Sequence, residues 1–137
     1  ETALGGSSVS LRGVADYKTL PALYNSAKIN INLNQVSNLD SVPQRIFHLL
    51  ASGSFALSSH SDELAGSFTP GKHLDTFRDF DEMIDKISYY LSHEDERLRI
   101  ARAGHEEFMR NHRMAARLAF IIGKCARPAA IDEDVFS

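Results

Sequence analysis

An α/β fold is what this sequence predicts: a Rossmann-like three-layer arrangement with a short, mostly parallel sheet and a helical C-terminal region. Three observations carry it. Between Val9 and Phe77, short apolar runs rich in β-branched residues alternate with segments of helical period, the pattern of β-α-β units. From Asp79 onward the apolar residues recur with the 3.6-residue spacing of helices. The 137 residues suffice for one ordinary core and not for two.

Residues 1–8, with Gly5-Gly6-Ser7-Ser8, read as a flexible lead-in, residues 9–127 as the domain, and residues 128–137, after Pro128, as an acidic tail. Val9-Ser10-Leu11 is a strand candidate closed by Gly13. Asp16 can cap a helix carrying Leu20, Leu23 and Tyr24, with Pro21 limiting how early it begins. In the run from Lys28 to Asn34, Ile29, Ile31 and Leu33 alternate with three asparagines, and period two makes it a strand. Its asparagines serve either as turn-forming polar residues at the strand end or as groups facing a polar groove. Asp40-Ser41-Val42-Pro43 reads as a helix start, because Asp or Ser can accept from a first-turn N–H and proline already has a helical φ. The helix that follows turns Ile46, Phe47, Leu49, Leu50 and Ala51 inward and ends at Gly53, a left-handed cap. Residues 54–58 form a short buried strand. The polar loop from Ser59 to Glu63 then leads to Leu64, Phe68 and the turn Pro70-Gly71, and residues 73–77 form a last strand near an edge.

The helical region divides into three. Asp79 and Glu82 make a capping-box-like pair before a stripe of Phe80, Ile84, Ile87 and Leu91. A second helix opens with Glu94-Asp95-Glu96 at its positive end and carries Leu98, Ala101, His105 and Phe108 on one face, His105 as a partly buried core residue. A third carries Met114, Leu118, Ile121 and Cys125.

Charge and composition exclude several classes. Fifteen basic against 18 acidic side chains give a net charge of −3, which supplies no field to gather nucleic acid or anionic lipid. No apolar run reaches the roughly 18 residues of a membrane span. The single Cys125 excludes an internal disulfide and suits a reducing compartment, so a cytoplasmic location is expected. Six histidines occur with no i,i+4 pair and no Cys partner, so no metal centre is expected. The series Arg97, Arg99, Arg102, Arg110, Arg113 and Arg117 interleaves with acids and reads as a solvated, ion-paired surface, suited to docking on another domain.

Parallel α/β sheets bind ligands where strand C-terminal ends meet helix N-termini, because free N–H groups and the helix dipole there favour anions. The strand ending near Asn34, the loop that follows and the helix opening at Ser41 to Val42 make that arrangement, with Arg45 in the first turn. Arg45 is either a phosphate or diphosphate ligand, with charge-assisted bonds, or a surface or Asp-paired arginine.

Four segments arrive in the order of a known family: residues 16–34, residues 43–53 (Pro43-Gln44-Arg45-Ile46-Phe47-His48 to Gly53), residues 68–72 (Phe68-Thr69-Pro70-Gly71-Lys72), and residues 89–104 from Tyr89-Tyr90 to Gly104. Together they resemble the C-terminal half of GT-B glycosyltransferases, and more narrowly the "glycosyl transferases group 1" branch that includes the spore maturation protein B type. The resemblance implies a Rossmann-like domain binding a nucleotide-sugar donor of UDP or GDP type as substrate, with no resident cofactor. It also implies a partner in the form of an N-terminal domain that binds the acceptor and supplies the general base, so the chain alone is expected to show no turnover. By position, Arg45 falls on the family's arginine. His48 falls where the family usually has a carboxylate for the ribose hydroxyls, and a histidine can bond a hydroxyl without supplying a fixed negative acceptor. Asp40 completes the spacing of the family's paired acids. Asp62 and Glu63 are candidates to accept from sugar hydroxyls, with helix capping the alternative at Asp62. The donor-binding set is thus Asp40, Ser41, Val42, Arg45, His48, Asp62 and Glu63.

Such a domain normally begins with one or two further β-α units before Val9, so the chain is expected to be a fragment with an exposed sheet edge. That edge, or the helical face, offers a route to a homodimer. The alternative reading is a non-catalytic or degenerate Rossmann-like interaction module, motivated by His48.

Overall fold

The protein was analysed as a computed structural model, which describes residue 16, residues 18–34, residues 42–115 and residue 118. The strand expected at Val9 to Leu11, the lead-in, most of the third helix and the tail lie outside the described residues.

Among the described residues three strands form the sheet: β1 (Asn30–Asn32), β2 (Ala56–Ser59) and β3 (Asp75–Phe77). They are parallel and ordered β1-β2-β3, with Ile31 opposite Leu57 and Ser58 opposite Thr76. A short helix α1 (Leu20–Ser26) precedes β1, α2 (Gln44–Ala51) joins β1 to β2, and α3 (Asp62–Ser67) joins β2 to β3. The chain then runs through α4 (Phe80–Ser92), α5 (Glu94–Glu107) and a π-helical turn, Phe108–His112. This is the α/β, Rossmann-like arrangement expected.

The layers follow from the alternation along β2, whose neighbouring side chains point to opposite faces. Ala56 packs with Ile46, Leu49 and Leu50 of α2, Leu64 of α3, Phe68 and Leu74. Leu57 packs with Phe55, Phe77, Tyr90 of α4, and Ile100 and Ala101 of α5. Ile46 and Leu50 are fully buried, and each such side chain contributes about 1.5–3 kcal/mol by leaving water.

Helix ends are set by local chemistry. Ser52 closes α2, and Gly53 follows at φ 75°. Its N–H donates to the Leu50 carbonyl and that of Ser54 to the Leu49 carbonyl, both at 3.1 Å, a complete Schellman motif. Asp79 caps α4 by accepting from the Glu82 N–H at 2.8 Å, while Glu82 Oε2 accepts from the Arg78 N–H at 2.8 Å, close to the expected capping box.

Four expectations need correction. The cap of α1 is Thr19, not Asp16, which serves through its carbonyl by accepting from the Thr19 N–H at 2.9 Å and Oγ1 at 2.8 Å. Proline does not open α2 from inside the helix: Pro43 is its N-cap, at φ −59° and ψ 136°, because a helical φ leaves ψ free to be extended. On α4 only Ile87 of the expected stripe packs on the core, together with Met83 and Tyr90, whereas Phe80, Ile84 and Leu91 are exposed. On α5 the buried stripe is Arg97, Ile100, Ala101 and Gly104, with Leu98 outside. Arg97 is therefore no surface residue. It is 6% exposed, donating from Nη1 to the Lys28 carbonyl at 2.7 Å and from Nη2 to Glu94 at 3.0 Å.

His105 is half-buried and bonds the Leu50 carbonyl through Nδ1 at 2.9 Å, which ties α5 to the end of α2. Beyond it, the π-helical turn packs on α2 through Phe108 and His112, whose rings lie 6.4 and 5.8 Å from that of Phe47. His112 also lies 4.5 Å from the Phe68 ring.

Candidate functional site at the carboxyl edge of the sheet

Because the strands are parallel, the C-terminal ends of β1, β2 and β3 lie on one edge, and the N-termini of α2, α3 and α4 follow them there. Arg45 sits in the first turn of α2, exposed, and among the described residues no ion pair involves it. His48 is three residues on and shares its helix face. It is half-buried and lines a cavity of about 180 Å³ with Leu20, Pro21, Tyr24, Ala51 and Ser52.

Val42 lies before the helix rather than in its first turn, partly buried against the core. The helix N-terminus expected at Ser41 to Val42 is thus at Pro43 to Gln44. Asp40 and Ser41 lie outside the described residues. In this first turn the Ile46 N–H is already taken by the Pro43 carbonyl at 2.9 Å, so the open donors are the N–H groups of Gln44 and Arg45.

At the next strand end, Ser61 is the cap of α3: its Oγ accepts from the Leu64 N–H at 3.2 Å. Asp62 is therefore not the capping residue. It and Glu63 stand exposed in the first turn, where the helix dipole favours carboxylates. Their side chains are open to solvent, so both could meet a ligand hydroxyl.

Sequence reasoning passed over His60, which follows β2. Its Nδ1 lies 3.3 Å from Thr76 Oγ1 and its Nε2 3.6 Å from Asp62 Oδ1. The Thr76 anchor is itself held. Asp75 accepts from the Thr76 N–H at 2.8 Å, from Lys86 Nζ at 3.1 Å and from the Tyr90 hydroxyl at 2.8 Å. Burial first, then the bond to Asp75, pushes the Tyr90 hydroxyl well above its ordinary range. The signal available in the sequence was position alone, the residue that follows a buried parallel strand.

The asparagines of β1 divide three ways. Asn30 donates to the Tyr24 carbonyl at 3.1 Å and the Phe55 carbonyl at 3.3 Å, fastening α1 to the sheet. Asn32, 3% exposed, donates to Ser58 Oγ at 3.0 Å and to Asn34 Oδ1 at 2.9 Å. The Asn34 backbone N–H donates to Ser59 Oγ at 3.3 Å. These polar groups take the inward positions, and Ile31 and Leu33 are the exposed members of the alternation, at 41% and 67%.

A family model described as glycosyl transferase-like matches residues 2–123. The chain belongs to that family. In this glycosyl transferase-like domain, two of the segments that carried the resemblance, residues 16–34 and 43–53, hold β1 and the first turn of α2 at the carboxyl edge. No curated protein and no solved structure gives a significant match. Among the described residues no helix is long and apolar enough to cross a membrane, and no three His, Cys, Asp or Glu side chains converge as a metal-binding group.

Proposed function

We propose that this glycosyl transferase-like chain is the donor-binding domain of a GT-B glycosyltransferase of the group 1, spore maturation protein B-like branch, and that it holds a nucleoside-diphosphate sugar of UDP or GDP type at the carboxyl edge of its sheet. The observation that carries the reading is Arg45: an exposed guanidinium without an ion pair among the described residues, in the first turn of the helix that follows β1.

The chemistry follows from charge. As the glycosidic bond to the donor breaks, negative charge grows on the departing diphosphate. A preformed cation and aligned N–H groups stabilise that charge more than they stabilise the bound ground state. Arg45 and the N–H groups of Gln44 and Arg45 take this role. Asp62 and Glu63 accept from sugar hydroxyls, and His48, one turn along α2, bonds the ribose. The general base for the acceptor comes from another domain, so the isolated chain binds donor without turning it over.

Calorimetric titration of the chain with UDP, GDP and their sugars tests this. Saturable binding that weakens about ten- to a hundred-fold in Arg45→Ala, the loss for one charge-assisted contact, is the expected result. A second reading, a non-catalytic interaction module, is favoured by His48 in place of a carboxylate. The absence of any nucleotide-induced NMR shift at residues 42–63 would establish that reading instead.

A further inference from the structure

His60 continues the alternation of Ala56 and Ser58, on the face of the sheet that packs against α2 and α3, and its ring meets Thr76, the residue opposite Ser58 on β3. Both ring nitrogens face oxygens: Thr76 Oγ1 lies 3.3 Å from Nδ1 and Asp62 Oδ1 lies 3.6 Å from Nε2. Turning the ring over would set carbon atoms against both oxygens, so its orientation is fixed from two sides. Asp62 then decides the tautomer. A carboxylate only accepts, so the hydrogen of the neutral ring belongs on Nε2, and Nδ1 accepts from the Thr76 hydroxyl. Thr76 is held in turn, its N–H donating to Asp75 and its carbonyl accepting from Lys86.

At 3.6 Å the ring and the carboxylate are too far apart to bond each other. Their outer side is open: 24% of the His60 side chain and all of the Asp62 side chain are exposed, and Nε2, unlike Arg97 Nε, is not screened from water. The pair therefore presents one donor and one acceptor side by side, a spacing that a single hydroxyl oxygen can bridge by accepting from the ring and donating to the carboxylate. Asp62 and Glu63 without His60 only accept, and would take an ammonium group as well as a hydroxyl. A phosphate oxygen has no hydrogen to give and is repelled by Asp62. A sugar hydroxyl both gives and takes.

We propose that His60 is a sugar-binding residue, its Nε2–H donating to a hydroxyl of the donor sugar that in turn donates to Asp62. This rests on the donor-binding reading above and adds to its two carboxylates the N–H that makes them selective for a hydroxyl.

The test compares each nucleotide sugar with its own nucleoside diphosphate, in calorimetric titrations of the chain with UDP, GDP, UDP-glucose, UDP-galactose, UDP-N-acetylglucosamine and GDP-mannose. For the sugar that the wild type binds best, His60→Phe should weaken binding about ten-fold, while the matching diphosphate stays within about two-fold of wild type. His60→Gln, whose amide N–H extends to the place of Nε2, should lose less. Should His60→Phe fail to fold, as shown by its urea midpoint, His60→Ala is measured in its place against the same expectation. An equal loss for sugar and diphosphate in a folded variant, or no loss for either, overturns the inference and leaves the donor-binding reading standing. A wild type that binds a diphosphate and none of the sugars overturns the inference as well. If the wild type binds none of the six, both fall.

Discussion

The α-carbon of Gly104 in α5 lies against the main-chain carbonyl of His73, so closely that a β-carbon there would overlap that oxygen and come within 2.9 Å of Leu50 Cδ2. The obstruction is backbone, which cannot swing aside. Gly104→Ala should destabilise the fold by about 3 kcal/mol or more, read as a lowered urea midpoint at unchanged m-value. Gly66, inside α3, has nothing within 4 Å of the corresponding position, so Gly66→Ala should be neutral or stabilising by up to about 1 kcal/mol. Equal effects at the two glycines would contradict the packing described.

Arg97 is a buried tie between α5 and the segment entering β1. Arg97→Ala leaves the Lys28 carbonyl without its donor and should cost about 1.5–3 kcal/mol, the range for bonds to a charged group. Arg97→Lys should recover part of this. A loss below about half a kcal/mol in Arg97→Ala would place the residue on the surface after all.

The pH dependence should show a histidine step. Burial pushes the His73 imidazole below 6.5; Glu107 opposes this, while Lys72 and Arg110 reinforce it. The Thr69 N–H donates to His73 Nδ1 at 3.2 Å, a bond that requires that nitrogen unprotonated. The unfolded chain therefore binds this proton more readily than the native one. The His73 contribution to stability is present above pH 6.5 and is lost as the pH falls through the native value. Glu107, held down chiefly by the Asn111 amide, contributes a separate loss that begins only below its ordinary 4.5. Urea midpoints from about pH 8 to about pH 5 should decline in the wild type and flatten over that interval in His73→Gln. An unchanged slope in the variant would remove His73 from the account.

Replacing His48 by glutamate should supply a fixed negative acceptor, the group that the resemblance implies for this position and that a histidine lacks. His48→Glu is expected to tighten UDP binding about ten-fold while leaving 2′-deoxy-UDP unchanged, measured by calorimetry. An equal gain for the deoxynucleotide would show that position 48 does not face the ribose.

What the sequence made legible was what local chemistry decides. Asp79 and Glu82 mark the start of α4, and Gly53 the end of α2, because capping involves residues only a few positions apart. The carboxyl edge could be located because strand, loop and helix follow one another in the chain. Helical phase could not. Leu98 and Arg97 lie on adjacent stripes of α5, and the choice between them is made by a carbonyl at Lys28 and a close approach at His73, both remote in sequence. Pro43 fitted a first-turn position by its φ, but that φ leaves ψ open, and at ψ 136° the residue stands before the first turn.

The π-helical turn at Phe108–His112 bears on how the chain tolerates changes of length. Such a turn holds one residue more than an α-helical one, so losing a residue there returns it to the α form with limited displacement of its flanks. The same deletion between Arg97 and Gly104 would rotate all that follows by about 100° and carry Gly104 off the His73 carbonyl. Single-residue length variation in this helical region should therefore gather at the turn beside Phe47 and Phe68 and spare the two turns before it.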